Sequence, residues 1–128
     1  MKETKQLIQE IVKAQRSIIS IDANDIKVTF RGDGAIHGLT VSVNPAMDDR
    51  IKILIDKVKK EAEQYMPFNT ALLFLFLPED QPLLMEELQP LTEWMESVPG
   101  NFLIKWGMAI QSAQEIRAIV ILQQTNRI

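Results

Sequence analysis

No cysteine occurs among the 128 residues, which excludes disulfides, thiolate catalysis and cysteine-based zinc sites. Histidine occurs once, at His37, with no second histidine to share a metal or complete a triad. No metal site is therefore expected, and His37 reads as a satisfied polar residue in a strand. Glycine is sparse, with five in all. None sits in a cluster of the GxxxxGK(S/T) or GxGxxG kind that cradles phosphates, so no nucleotide or other cofactor is expected to bind. Basic residues are not in surplus: 14 Lys and Arg against 17 Asp and Glu give a net charge of −3. Those cations are scattered, which argues against a grip on nucleic acid. The longest apolar run, "ALLFLFL" at residues 71–77, is far short of the roughly 20 residues of a membrane span. The opening "MKETKQLIQE" is too polar for a signal peptide. These absences lead to the expectation of a cytoplasmic protein that does not enter membranes.

What is present is ordinary for a soluble domain: 46% hydrophobic and 24% charged residues. A chain of this length is one domain, and it buries about two-thirds of its unfolded surface without a staple. Residues 3–16 carry Leu7, Ile8, Ile11, Val12 and Ala14 on a helical stripe, with Glu3 and Thr4 at its start and Arg16 in its last turn. In residues 25–31, Ile26, Val28 and Phe30 alternate with polar residues as in a strand, yet Asn24 and Asp25 are good helix caps. Gly32 and Gly34 mark a turn. "AIHGLTVSV", residues 35–43, reads as a strand. Residues 48–66 form the clearest helix, with Ile51, Leu54, Ile55, Val58, Ala62 and Tyr65 on one face and Pro67 as its stop. Asp48 and Asp49 suit its start.

The near-continuous apolar run "NTALLFLFL" (69–77) reads as a buried strand. Residues 82–98 read as a helix with Leu84, Leu88, Leu91, Met95 and Val98 on its stripe, kinked or split by Pro90 and ended at "PGN". "FLIKWGMAI" (102–110) and "EIRAIVILQQ" (115–124), joined by "QSAQ", read as an antiparallel hairpin. The fold expected is an α/β (α+β) sandwich. A mixed sheet of about four strands is covered by two amphipathic helices, mainly on one face, and preceded by an N-terminal helix. It divides into a helix at 1–16, an acidic loop at 17–25 and the sandwich at 26–128. Trp94 and Trp106 read as core or edge-covering residues, Lys57 to Lys60 as a solvated helix face, and the six methionines as gap fillers.

Two carboxylates, Asp22 and Asp25, stand at the junction in "SIISIDANDIKVTF". On chemistry alone they are capping or Asx-turn residues. The order of pieces from Thr70 to Leu122 also resembles the C-terminal domain of FtsZ, the bacterial tubulin homologue of cell division. Glu115, Ile116, Arg117 and Ile119 fit the acidic–Ile/Leu–Arg–Val–x–Val ending of that domain, and Gly107 fits the turn-proximal glycine of its preceding strand. "ISIDANDI", Ile19 to Ile26, aligns without a gap to the loop Ile-Asn-Val-Asp-Phe-Ala-Asp-Val, with Asp22 and Asp25 on its two acidic positions. Ser20 and Ala23 depart from that loop, Ser17 replaces the glycine before it, and Pro90 interrupts a helix that the family keeps smooth. The likeness spans about residues 5–124. It implies that residues 25–31 begin as a helix and that the chain looks like the second half of a tubulin-type protein standing alone.

In the family resembled, one subunit holds GTP and the next inserts its acidic loop to orient the attacking water, by positioning and electrostatics. By that resemblance Asp22 and Asp25 would be half of a composite site, water-orienting only in trans, with Ser20, Asp22, Asn24 and Asp25 as partner-binding residues. The chain itself would not be an enzyme. It would be an interaction module that caps or modulates filaments of FtsZ or another tubulin-type GTPase. One alternative is a self-associating scaffold, a homo-oligomer formed through a sheet face or edge. Another is a nucleoid-associated DNA binder, because residues 5–66 resemble the YbaB type in having a helix, a hairpin "IKVTF…LTVSV" and a charged helix.

Overall fold

The computed structural model describes residues 3–14, 16–32, 34–97 and 103–125. In chain order the elements are α1 (Thr4–Val12), β1 (Ser17–Ile19), α2 (Ala23–Thr29), β2 (Ile36–Val43), α3 (Arg50–Ala62), β3 (Phe68–Pro78), α4 (Leu88–Glu96), β4 (Leu103–Gln111) and β5 (Ile116–Gln124). Short 3₁₀ turns extend α3 at Glu63–Tyr65 and precede α4 at Met85–Glu87. The expected helix stop at "PGN" and the start of the next strand at Phe102 lie outside the described residues.

The five strands form one mixed sheet in the order β1-β4-β3-β5-β2. β3 is its axis. Every residue from Thr70 to Pro78 is buried, and the period of two sends alternate side chains to opposite faces. Ala71, Leu73, Leu75 and Leu77 join a core under α3 and α4, with Leu54, Val58, Leu91 and Trp94. Leu72, Phe74 and Phe76 join a second core, with Leu7 and Ile11 of α1 and Ile26 and Phe30 at α2. The α/β sandwich and its mixed sheet are as expected, with two additions. Ser17–Ile19 supplies a fifth strand from within the anticipated loop, and α1 and α2 cover the second sheet face. The continuous apolar run required both: a strand without a polar face must be covered on each side.

The expected β4–β5 hairpin does not form. β4 pairs with β3 in parallel, β5 pairs with β3 antiparallel, and β3 lies between them. Residues 112–115 cross the end of β3 instead. The gap is two strand spacings, roughly 10 Å, and four residues reach about 13 Å. The loop was short enough for a hairpin, but the most apolar strand takes the centre, where both of its edges are paired and both of its faces are covered. β5 also pairs along its full length with β2, from Ile36 opposite Gln123 to Val43 opposite Ile116.

The strand-like alternation of residues 25–31 is also overturned, in favour of the helix that the family resemblance implies. Ile26, Thr29 and Phe30 are buried while Val28 is 42% exposed, which is an i, i+3, i+4 face. The Thr29 hydroxyl donates to the Asp25 carbonyl at 2.7 Å. The IKVTF–LTVSV hairpin of the YbaB type is therefore absent.

Other expectations shift by a turn. Arg16 lies beyond α1, which ends at Val12, and the exposed Arg16 pairs with the exposed Glu79. Residues 82–84 are not helical, and Leu84 is 50% exposed rather than on a buried stripe. Pro90 does not kink a long helix. It occupies the first turn of α4, where its missing N–H has no intrahelical partner to lose. Gly107 lies within β4, not beside a turn. A Cβ there would stand 2.6 Å from the Ile19 carbonyl oxygen and 2.9 Å from the Phe74 ring, so its bareness lets β1 close on β4. His37 stacks on Tyr65 at 4.3 Å and shares a 3.0 Å hydrogen bond with the Gln124 side chain.

A buried ion pair fastens the cover of the first core. Arg50, 7% exposed, donates to both carboxylate oxygens of Glu87 at 2.6 and 2.8 Å. It also donates to the carbonyls of Pro45, Gln81 and Pro82. The α3 start is thus tied to the β3–α4 connection. The hydrogen bonds from Arg50 hold the Glu87 carboxyl below the usual glutamate range.

Two predictions follow from these contacts. Leu73→Ala and Phe74→Ala should each destabilise by about 2–5 kcal/mol in urea titrations, because both are fully buried on opposite faces. A cost below about 1 kcal/mol at either site would contradict burial of that face. Glu87→Gln should cost about 1.5–3 kcal/mol at neutral pH, the range for a hydrogen bond to a charged group. The Glu87 pKa is depressed by folding, so its contribution is complete above the ordinary glutamate range and is lost as pH falls through the folded value. The gap between wild type and Glu87→Gln should therefore close towards acid. A gap independent of pH would show that the pair is not the cause.

Candidate functional site

Asp22 and Asp25 meet at the start of α2, and the local chemistry explains why the chain turns there. The Asp25 N–H donates to Asp22 Oδ1 at 2.8 Å, and the Asp22 N–H donates to Asp25 Oδ2 at 3.1 Å. Each carboxylate satisfies the other's backbone donor, a reciprocal capping box built from two aspartates. The cap itself is Asp22, in extended conformation, rather than Asn24 or Asp25. Two negative groups also complement the partial positive charge of the helix start.

The corner is presented outward. Asp22, Ala23 and Asn24 are exposed and Asp25 is half-buried, while Ile21 and Ile26 on either side are 6% and 8% exposed. Those two isoleucines anchor the corner in the second core, with Asp22 and Asn24 left at the surface. Ser20 is exposed and belongs to no helix or strand. The four residues expected to bind a partner, Ser20, Asp22, Asn24 and Asp25, are thus gathered in one short exposed segment. Each aspartate has one carboxylate oxygen with no partner among the described residues, and such an oxygen can accept a hydrogen bond from a water or an incoming donor. No group of three or more His, Cys, Asp or Glu among the described residues could hold a metal ion.

Sequence reasoning missed the apolar neighbours of the corner. Ile18 is 57% exposed and Ile19 37% exposed on β1, a three-residue strand at the edge of the sheet. The signal was present in "SIIS", two branched apolar residues between serines, but the segment is too short to read as a strand. No helix among the described residues is long and apolar enough to cross a membrane.

Replacing the cap separates its two properties. Asp22→Ala should cost about 0.5–2 kcal/mol, the usual price of losing an N-cap. Asp22→Asn keeps an acceptor for the Asp25 N–H and should cost far less. Thermal melts of both variants check this, and equal losses would mean that the charge, not the cap, holds the corner.

No protein-family model matches the chain, and no curated protein matches it. Among solved structures it is similar to a point mutant of FtsZ from M. jannaschii. The TM-score is 0.71 at 18% identity, over 93% of this chain and 36% of that one. The chain therefore spans about a third of the length of that FtsZ. The architecture around the Asp22–Asp25 corner, a five-stranded mixed sheet with helices on both faces, is the fold of the FtsZ C-terminal domain.

Proposed function

We propose that this chain is a non-enzymatic docking module. It binds a tubulin-type GTPase of the FtsZ kind in the cytoplasm through the Ser20–Asp25 corner, and it caps or modulates the filaments of that GTPase. The observation that carries this reading is the exposed, self-capped pair Asp22 and Asp25 on an FtsZ-like C-terminal fold. In the family that the sequence resembles, an acidic loop at this place meets the nucleotide of the neighbouring subunit. The capping box favours such a role because it fixes both carboxylates before a partner arrives, and preorganised groups lose less entropy on binding. Ile18 and Ile19 supply apolar area next to the charges.

The self-associating alternative has less support. It requires an open sheet face or edge; helices cover both faces, and the edge strand β1 is only three residues long. The long edge strand β2 is also blunted. The Gly38 N–H donates to the Thr4 hydroxyl at 2.8 Å, and Lys57 Nζ donates to the Ser42 carbonyl at 3.1 Å.

The test assembles the tubulin-type GTPase of the same cell with GTP and adds the chain. Wild type should shorten filaments or change GTP turnover, while binding no GTP alone by calorimetry. Asp22→Asn/Asp25→Asn keeps the capping geometry and removes the charge, so it should fold normally and lose the effect on turnover. Filaments and turnover indifferent to wild type would refute the docking reading. A double variant as active as wild type would refute the role of the carboxylates and leave only capping.

A further inference from the structure

The Asp22 corner follows β1, which runs antiparallel to β4 and hence opposite to β3. At the end of the sheet where β2 and β3 both finish, the β2–α3 and β3–α4 connections enclose an open cleft of about 820 Å³. Its base is the Arg50–Glu87 pair, internally neutral and hydrogen-bonded on every side. Around that base stand five exposed carboxylates, Asp48, Asp49, Asp80, Glu86 and Glu93, against a single exposed lysine, Lys52. The whole chain carries only −3, so its negative charge is gathered at this cleft and the remainder is close to neutral. Burial does not require that arrangement, because none of these carboxylates is buried.

Two further features bear on what fits there. The cleft is not purely polar: Met47 and Leu84 line it and are 44% and 50% exposed. Gln81 also lines it, and the Gln81 Oε1 is cut off from solvent with no donor among the described residues. A buried acceptor without a donor is costly, and a turn of the amide into the cleft would present it to an incoming N–H. A metal ion does not suit the site, since no three of its carboxylates lie close enough to share one. Nucleic acid is repelled by its sign.

We infer that this cleft is a docking site for a cationic amphipathic peptide segment of a partner protein. Lysines or arginines of the segment face the five carboxylates, and one or two apolar side chains rest on Met47 and Leu84. This is the helix-in-groove mode of recognition with charge complementarity supplying selectivity. The site lies away from the Ser20–Asp25 corner and does not depend on the GTPase reading.

The probe is a fluorescein-labelled peptide of about 14 residues, four helical turns, with lysine and leucine on opposite faces. Its anisotropy is followed with the isolated full chain at low salt. Saturable binding is expected. Asp48→Asn/Asp80→Asn/Glu86→Gln should weaken it about tenfold, the sum expected for three exposed charge contacts. Met47→Ser/Leu84→Ser should weaken it as well. Glu61→Gln/Glu63→Gln, acids exposed at the far end of α3 and its extension, should leave it within about twofold, since neither lines the cleft. Circular dichroism confirms that each variant is folded. Absence of saturable binding would overturn the inference. So would undiminished binding by the triple variant, equal binding of a lysine/serine peptide of the same charge, or an equal loss of binding in Glu61→Gln/Glu63→Gln.

Discussion

Burial of β3 on both faces is the constraint from which the rest of the structure follows. A strand with no polar face cannot lie at an edge or under a single layer without leaving leucines and phenylalanines in water, at roughly 1.5–3 kcal/mol for each large side chain. Two layers of helix and two flanking strands are the consequence. α3 and α4 take Leu73, Leu75 and Leu77, and α1 and α2 take Leu72, Phe74 and Phe76. The parallel neighbour β4 arrives through α4, and the antiparallel neighbour β5 arrives through a loop over the end of β3. The second layer is held at its margin by Arg117, which donates to both Glu10 oxygens at 2.7 and 3.1 Å and lies over the Phe76 ring. A residue that matched a family sequence pattern thus has a plain mechanical task in this chain, fastening α1 to β5.

The sequence revealed some elements more readily than others, for identifiable reasons. α3 was legible because Ile51, Leu54, Ile55, Val58 and Ala62 repeat at helical spacing and Pro67 stops the pattern. β2, β3 and β5 were legible from branched and aliphatic runs. The β4–β5 pairing was not, because loop length constrains which strands can be neighbours without deciding which are. That choice belongs to the competition for the centre, which β3 wins. Residues 25–31 misled because seven residues satisfy both a period of two and an i, i+3, i+4 face. The capping box formed by Asp22 and Asp25 settles the contest locally. β1 was invisible: three residues carry no period, and it exists because Gly107 lets the Ile19 carbonyl come close to β4.

The acidic corner shows how a structural role and a binding role can occupy the same atoms. One oxygen of each aspartate holds the helix start, and the other has no partner among the described residues. Capping and docking are then successive uses of one geometry, and Asp→Asn substitutions distinguish them where Asp→Ala cannot. The gathering of Ser20, Asp22, Asn24 and Asp25 was readable from sequence, whereas the cleft around Arg50 was not. Its carboxylates come from three separate segments, 48–49, 80–86 and 93, and only the packing of α3 against the β3–α4 connection brings them together. Nothing in their spacing along the chain announces a common surface.

The central position of β3 can be tested directly by cross-strand nuclear Overhauser effects in an isotope-labelled sample. The account predicts that Phe74 is linked to both Gly107 and Ile119, with the parallel pattern on the first side and the antiparallel pattern on the second, and that β4 and β5 show no cross-strand contacts with each other. A continuous set of antiparallel contacts between residues 103–111 and 116–124 would contradict it. That result would place β3 at an edge and dissolve the two-faced core on which both proposed surfaces rest.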